Sequence, residues 1–299
     1  MAARPIDVHA HLYCAEALEA YGEPYRAAGR YFGRSSAAHH HDDPDAPIPV
    51  ERSVQLFREA GIDRAMVLNL EARTARGTGL DNLRALDICA PYADVLSVFA
   101  AVDPHRGEAA AEELRRAVRA GCIGLKLHPG YQDFVPDELE GARAVYAAAQ
   151  DLGVPVLFHT GTTRLQPAYI RPCQPVHLDR VAVDFPRLRI VMSHVGYPWV
   201  DEAIQVAWRN PNVYIDLAGI LPRYYPPQVW HYLQMRDLRE RVLFGSDYPM
   251  LRPDVWLEAW RGFDRYWCPM CGREERVEAA FREAVEGANA RRMLGHLLG

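Results

Sequence analysis

Seven ionisable side chains of this 299-residue chain stand at or near the ends of short apolar runs: His9, His11, Lys126, His128, His159, His194 and Asp247. His9 and His11 are two apart in Ile6-Asp-Val-His-Ala-His-Leu12, so in a strand they share a face. Two imidazoles side by side in a core are costly unless something satisfies them, and a divalent metal does that well. A lone His-x-His is a weak signal; its company here makes it stronger. His159, His194 and Asp247 close three later runs, and His128 closes another, two residues after Lys126. Three nitrogen ligands and a carboxylate, with one coordination position open, can hold a catalytic zinc. Imidazole suits other divalent ions as well. Ordinary packing does not account for seven such groups near one end of a fold.

The elements that must carry these groups recur with a regular beat. Apolar runs occupy 6–12, 65–70, 95–102, 123–128, 154–159, 188–194, 212–217 and 242–247, spaced from the second onward by about one strand-plus-helix unit. Between them, Val54, Phe57 and Ala60 recur at helical spacing ahead of Gly61. The stretches 109–120 and 139–152 repeat the scheme and end at Gly121 and Gly153, as helices often do. Apolar strands alternating with helices imply a parallel sheet covered by helices, and eight strands is the number that closes a barrel. The expected fold is a (β/α)8 barrel, α/β in class, as one domain over 1–299. Residues 13–50 form an insertion after the first strand, which topology places over the barrel mouth as a lid or a solvated loop. The run His39-His40-His41 within it reads as solvated loop. The tail after Asp264 holds Cys268-Pro-Met-Cys271 and an expected helix from about 274 to 298; residues 265–299 read as a helical tail.

Composition narrows the partners. The formal net charge of −5 lacks the basic excess of a nucleic-acid binder. No run approaches the 18 or more apolar residues of a membrane span, and the first residues lack a secretory h-region. Six scattered cysteines in so long a chain read as reduced thiols, hence a cytoplasmic protein. Cys268-x-x-Cys271 lacks the second pair of a zinc ribbon and reads as a surface thiol pair. Tyr131, Arg164, Tyr197, Trp199, Arg223 and Arg252 follow strands and crowd the mouth by topology. Together with Lys126 and His128 they suit a small, planar, anionic substrate. Asp7 and Asp216 sit within strands and fix their surroundings by hydrogen bonding, with Asp7 able to orient a histidine.

The motifs Asp7-Val-His-Ala-His11, Gly124-Leu-Lys-Leu-His-Pro129, Phe158-His-Thr-Gly161, Met192-Ser-His-Val-Gly196 and Phe244-Gly-Ser-Asp-Tyr-Pro249 occur in this order, followed by Asn289-Ala-Arg-Arg292. As a set they cover about residues 5 to 295. The set resembles the metal-dependent amidohydrolase superfamily, in the amidohydrolase-related branch that includes aminocarboxymuconate semialdehyde decarboxylase, resorcylate decarboxylases and lactone hydrolases. The resemblance implies one divalent ion, Zn2+ first and Mn2+ second, held by His9, His11, His159 and Asp247. It implies that Asp247 also takes a proton from the attacking water and that His194 faces the substrate. Binuclear relatives carboxylate a lysine placed like Lys126, which stays the lesser alternative here; in this branch the resemblance implies instead a cation that binds a substrate carboxylate or pairs with a nearby acid.

The expected activity is hydrolysis of an ester, lactone or amide. Non-oxidative decarboxylation of an aromatic or muconate-like acid is the alternative. A catalytically idle barrel serving as a binding scaffold is the reading from another class, and the full ligand set argues against it. A small-molecule substrate and no nucleic-acid or membrane partner are expected, with a homodimer left open by analogy.

Overall fold

The computed structural model describes residues 4–35, 43 and 46–298. Eight strands form one parallel sheet in chain order: β1 (Ile6–Ala10), β2 (Arg64–Leu68), β3 (Leu96–Ala101), β4 (Gly124–Leu127), β5 (Val156–Phe158), β6 (Ile190–Met192), β7 (Val213–Asp216) and β8 (Val242–Leu243). The sheet comes round on itself. Val8 N–H donates to the Phe244 carbonyl at 3.0 Å, Asp247 N–H to that of His9 at 2.7 Å, and His11 N–H to that of Tyr248 at 2.7 Å. This is the expected (β/α)8 barrel, built from the eight apolar runs.

The covering helices are α1 (Ala15–Ser35), α2 (Val50–Glu59), α3 (Asn82–Cys89), α4 (Glu108–Ala120), α5 (Glu140–Leu152), α6 (His177–Asp184), α7 (Val200–Arg209), α8 (Gln228–Leu233) and α9 (Pro253–Arg261). Each of α2 to α7 turns buried small or apolar side chains inward, as in Ala110, Ala111, Leu114 and Ala117 of α4. Among the described residues no helix is long and apolar enough to cross a membrane. Gly153 ends α5 at φ 65°, and a Cβ there would touch nothing. Gly153→Ala therefore isolates the left-handed backbone cost. It should lower unfolding stability by about 1 kcal/mol, read from a denaturant midpoint, with no change in fold.

The insertion after β1 takes a definite form, and the expectation for the tail needs correcting. The first half of the 13–50 insertion is helical: α1 runs to Ser35 and kinks at Gly22 (φ 65°), two residues before Pro24. Tyr21, Tyr25 and Ala28 recur at helical spacing on its buried face. His39, His40 and His41 lie outside the described residues. The tail is not helical from 274. Residues Arg265–Cys268 (β9) and Arg273–Arg276 (β10) form an antiparallel hairpin, and helical backbone begins only at α10 (Ala279–Glu283), running on through a π-helical turn (Ala284–Ala288) into α11 (Asn289–Leu294). Period-two burial on β9, with Tyr266 and Cys268 inside and Arg265 and Trp267 outside, marks a strand. Gly272, at φ 64°, allows the turn.

The barrel interior below the mouth is filled by apolar side chains. Ile6, Val8, Met66, Leu68, Phe99, Leu157, Val191 and Leu243 meet inside it, and Ala290, Met293 and Leu294 of α11 pack against them. Asn289 fastens α11 by donating to the carbonyls of Arg239 (2.9 Å) and Val242 (2.8 Å).

Candidate active site

Plain alternation from Val8, which points into the barrel, would turn His9 outward among the helices. It does not, because β1 carries an extra residue. Asp7 pairs with Ala65 and Ala10 with Val67, so three steps on β1 match two on β2. Such a bulge re-aims the side chains beyond it. Asp7 holds it, its Oδ1 accepting from His9 N–H (3.1 Å) and Ser246 N–H (2.9 Å). Gly245 faces the bulge, where a Cβ would stand 2.8 Å from that of His9. His9 and His11 thereby both reach the mouth.

There the ring orientations are set from behind. His9 Nδ1–H donates to Asp216 Oδ2 (2.9 Å), His11 Nδ1–H to the Leu68 carbonyl (2.9 Å) and His194 Nδ1–H to the Ala218 carbonyl (2.9 Å). Fixing each Nδ1 as donor leaves Nε2 as a lone-pair donor. The Nε2 atoms of His9 and His11 lie 3.3 and 3.5 Å from Asp247 Oδ1, and one atom from each of the three residues falls within 4.8 Å of the others. His159 stands outside that group. Its ring stacks on His128 at 4.0 Å and sits 5.0 Å from His194, and its buried Nε2 has no partner among the described residues. Two inward lone pairs, a carboxylate and an orphaned buried imidazole nitrogen together fit a divalent cation.

Electrostatics point the same way. Burial, reinforced by Lys126, pushes His9 far below the ordinary histidine range and His11 down to about 3. Burial likewise lowers His128 and His159, so all four rings are neutral, as metal binding requires. Asp247 is pushed up to about 6 by burial, against the opposing pull of His194 and Lys126. The Lys126 ammonium is buried with no hydrogen-bond partner among the described residues, and burial brings it down to about 8 despite Asp216 and Asp247.

Two site residues have left-handed backbone: His194 at φ 58° and Asp247 at φ 61°. Such conformations cost on the order of 1–3 kcal/mol and persist where the surroundings over-determine them. Asp216 does so for His194, its Oδ1 accepting His194 N–H at 2.8 Å.

Above these groups opens a cavity of about 360 Å3. Of the side chains expected to meet substrate, Lys126, His128, Arg164 and Tyr197 line it. His128 also accepts Tyr131 N–H on Nδ1 (3.2 Å), so it both caps a turn and faces the cavity. Arg164 lies over the Tyr31 ring of α1 at 3.6 Å, joining the insertion to the rim. The other four expected contacts are elsewhere. Tyr131 is buried with its hydroxyl on Thr78 Oγ1 (2.8 Å), Trp199 sits at the N-terminal edge of α7, Arg223 is exposed against the Tyr224 ring, and Arg252 forks onto Asp254. Following a strand places a residue at the mouth level without deciding which way it turns. Tyr25, Ala28, Tyr31, Thr162, Thr163 and Met250 line the cavity without having been expected to. Helical spacing of Tyr21, Tyr25 and Ala28 was the available signal for the first two.

Solved structures repeat this architecture. An uncharacterised TIM-barrel protein, Bb4693 from Bordetella bronchiseptica, is 23% identical with a TM-score of 0.78, and 99% of each chain is covered. The 5-carboxyvanillate decarboxylase LigW2 of Novosphingobium aromaticivorans, solved with bound manganese, is 17% identical at a TM-score of 0.68, covering 97% of both chains. A probable 2-pyrone-4,6-dicarboxylic acid hydrolase of Acinetobacter baumannii is 14% identical at 0.66, over 98% of this chain and 100% of that one. These likenesses carry the fold. Protein fluG of Emericella nidulans is 32% identical over 72 residues, 24% of this chain, and the match spans 7% of the fungal protein. The family described as amidohydrolase matches residues 6–296, from the first residue of β1 to just past α11, and the chain belongs to that family of enzymes.

Proposed function

We propose that this protein is a divalent-metal-dependent hydrolase of a small anionic ester, lactone or amide. The observation that carries the reading is Asp247 Oδ1 at 3.3 and 3.5 Å from the inward nitrogens of His9 and His11, on the cavity floor. His9, His11, Asp247 and His159 would hold the ion, zinc first and manganese second; manganese accompanies the LigW2 structure. When bound, such an ion supplies Lewis acidity and lowers the pKa of a coordinated water towards ~7.

The chain's own groups do the rest. Asp247, raised towards neutrality, takes the proton of the attacking water. His194, with its Nε2 lone pair towards the cavity, takes that proton on from Asp247 and passes it to the leaving oxygen or nitrogen. The Lys126 ammonium holds a substrate carboxylate, with Arg164 as a second cation at the rim. Helix α1 covers part of the opening through Tyr25, Ala28 and Tyr31.

Decarboxylation is the second reading, favoured by the activity named for LigW2. In it Asp247 delivers its proton to the ring carbon as carbon dioxide leaves. Chelator-stripped protein re-supplied with Zn2+ or Mn2+ should open lactones or cleave esters of carboxylic acids without releasing carbon dioxide. Carbon dioxide from aromatic acids would replace the first reading by the second. Turnover that survives complete metal removal would overturn both.

A further inference from the structure

Away from the barrel mouth, the sulfur atoms of Cys268 and Cys271 and a ring nitrogen of His231 all lie within 4.8 Å of one another. We propose that these three residues form a second metal centre that takes one zinc ion and ties the β9–β10 hairpin to α8. The local chain is built for it. Cys268 ends β9, Gly272 N–H donates to the Cys268 carbonyl at 2.9 Å, and Gly272 at φ 64° turns the chain back. That turn brings the two thiols of Cys268-Pro-Met-Cys271 to one side, at a spacing zinc sites use.

The third ligand comes from a different element. Zn–S of about 2.3 Å and Zn–N of about 2.0–2.1 Å at a tetrahedral angle place sulfur and nitrogen about 3.6 Å apart. Cys271 Sγ lies 3.8 Å from His231 Nδ1. The hairpin is already docked beside His231 without help from an ion. Gln234, at the end of α8, donates to the Tyr266 hydroxyl and the Arg276 carbonyl, each at 3.3 Å, and accepts from Glu278 N–H at 2.7 Å.

Burial explains Cys268 as a small apolar side chain, but not why exposed Cys271 folds back towards both it and a histidine. Exposure of Cys271 also supplies the entry path. On binding, each thiol releases its proton to solvent and both remain as thiolates. Among the described residues no fourth side chain joins the group, leaving water for the fourth corner. Thiolates select zinc over manganese, so the two centres would differ in preference.

The barrel donors are nitrogen and oxygen alone, which separates the two sites spectroscopically. Reduced, metal-free, untagged protein titrated with Co2+ should develop a sulfur-to-cobalt charge-transfer band that Zn2+ abolishes. Cys271→Ser, a change at an exposed position, should lose the band, together with about one zinc per chain from protein loaded with Zn2+. Its turnover at the barrel should stay that of the parent. His231→Ala should shift and weaken the band. The proposal is overturned if reduced protein gives no such band, if the band persists in C268S/C271S, or if a thiol count on freshly isolated protein shows a Cys268–Cys271 disulfide. None of these outcomes bears on the hydrolase reading, whose metal is held by other residues.

Discussion

Asp247→Asn should lower kcat by about three orders of magnitude on whichever acid derivative the parent turns over, and leave the fold intact. Removing a positioned general base typically costs 10²–10⁴-fold, and here the same carboxylate also faces the two inward imidazole nitrogens. Asparagine keeps the shape and the backbone N–H bond to the His9 carbonyl at 2.7 Å. It tolerates the left-handed backbone at this position about as well as aspartate does. Bare Gly219 leaves room, since a Cβ there would stand 2.9 Å from Asp247 Oδ2. What the change removes is the negative charge and the ability to take a proton. Steady-state kinetics with circular dichroism and a thermal midpoint on the same samples check this. A loss under tenfold in well-folded protein would remove Asp247 from the chemistry.

Asp216→Ala should be the most damaging change at a residue that faces no substrate. Its carboxylate, fully buried, accepts three hydrogen bonds: from His9 Nδ1–H (2.9 Å), His194 N–H (2.8 Å) and Ala218 N–H (3.0 Å). Leaving a buried donor unsatisfied costs about 1–3 kcal/mol, so the three together should cost about 3 kcal/mol or more. The freed His9 ring loses its fixed tautomer, which typically lowers metal affinity about 10–100-fold. Asp216→Asn keeps an acceptor oxygen and should fall between the parent and alanine on both measures. Denaturant unfolding reads the first effect, and competition with a chromophoric chelator reads the second. Parental metal affinity in the alanine protein would mean that the imidazoles are held by something else.

The barrel, its strand order and the motif-bearing strand ends follow from local pattern alone. A buried parallel strand must be apolar throughout and its covering helix must be amphipathic, so both leave a mark on a single sequence. Glycines 61, 121 and 153 fell where helices end, because the left-handed turn there favours a residue without Cβ. The hairpin at 265–276 was not legible in the same way: Trp267 is apolar yet exposed, so the period-two burial of Arg-Tyr-Trp-Cys is not written in residue type, and the pairing with Arg-Glu-Glu-Arg is a tertiary fact.

The direction of side chains beyond strand ends belonged to tertiary structure. Arg164 and Arg252 occupy similar topological positions, yet one guanidinium reaches the cavity rim through Tyr31 while the other is taken by Asp254 two residues on. His231 and Cys271 are separated by 40 residues, and only the docking of a hairpin on a helix makes them neighbours. The deepest case is β1. Counting by twos puts His9 and His11 on one face, which is correct, but also puts Val8 on the opposite one, which is not. Residue type and spacing determined which groups this chain has for chemistry. Where they meet was decided by one extra residue in a strand, because a bulge depends on the partner strand and on the Asp7 carboxylate that holds it, and neither is local in sequence.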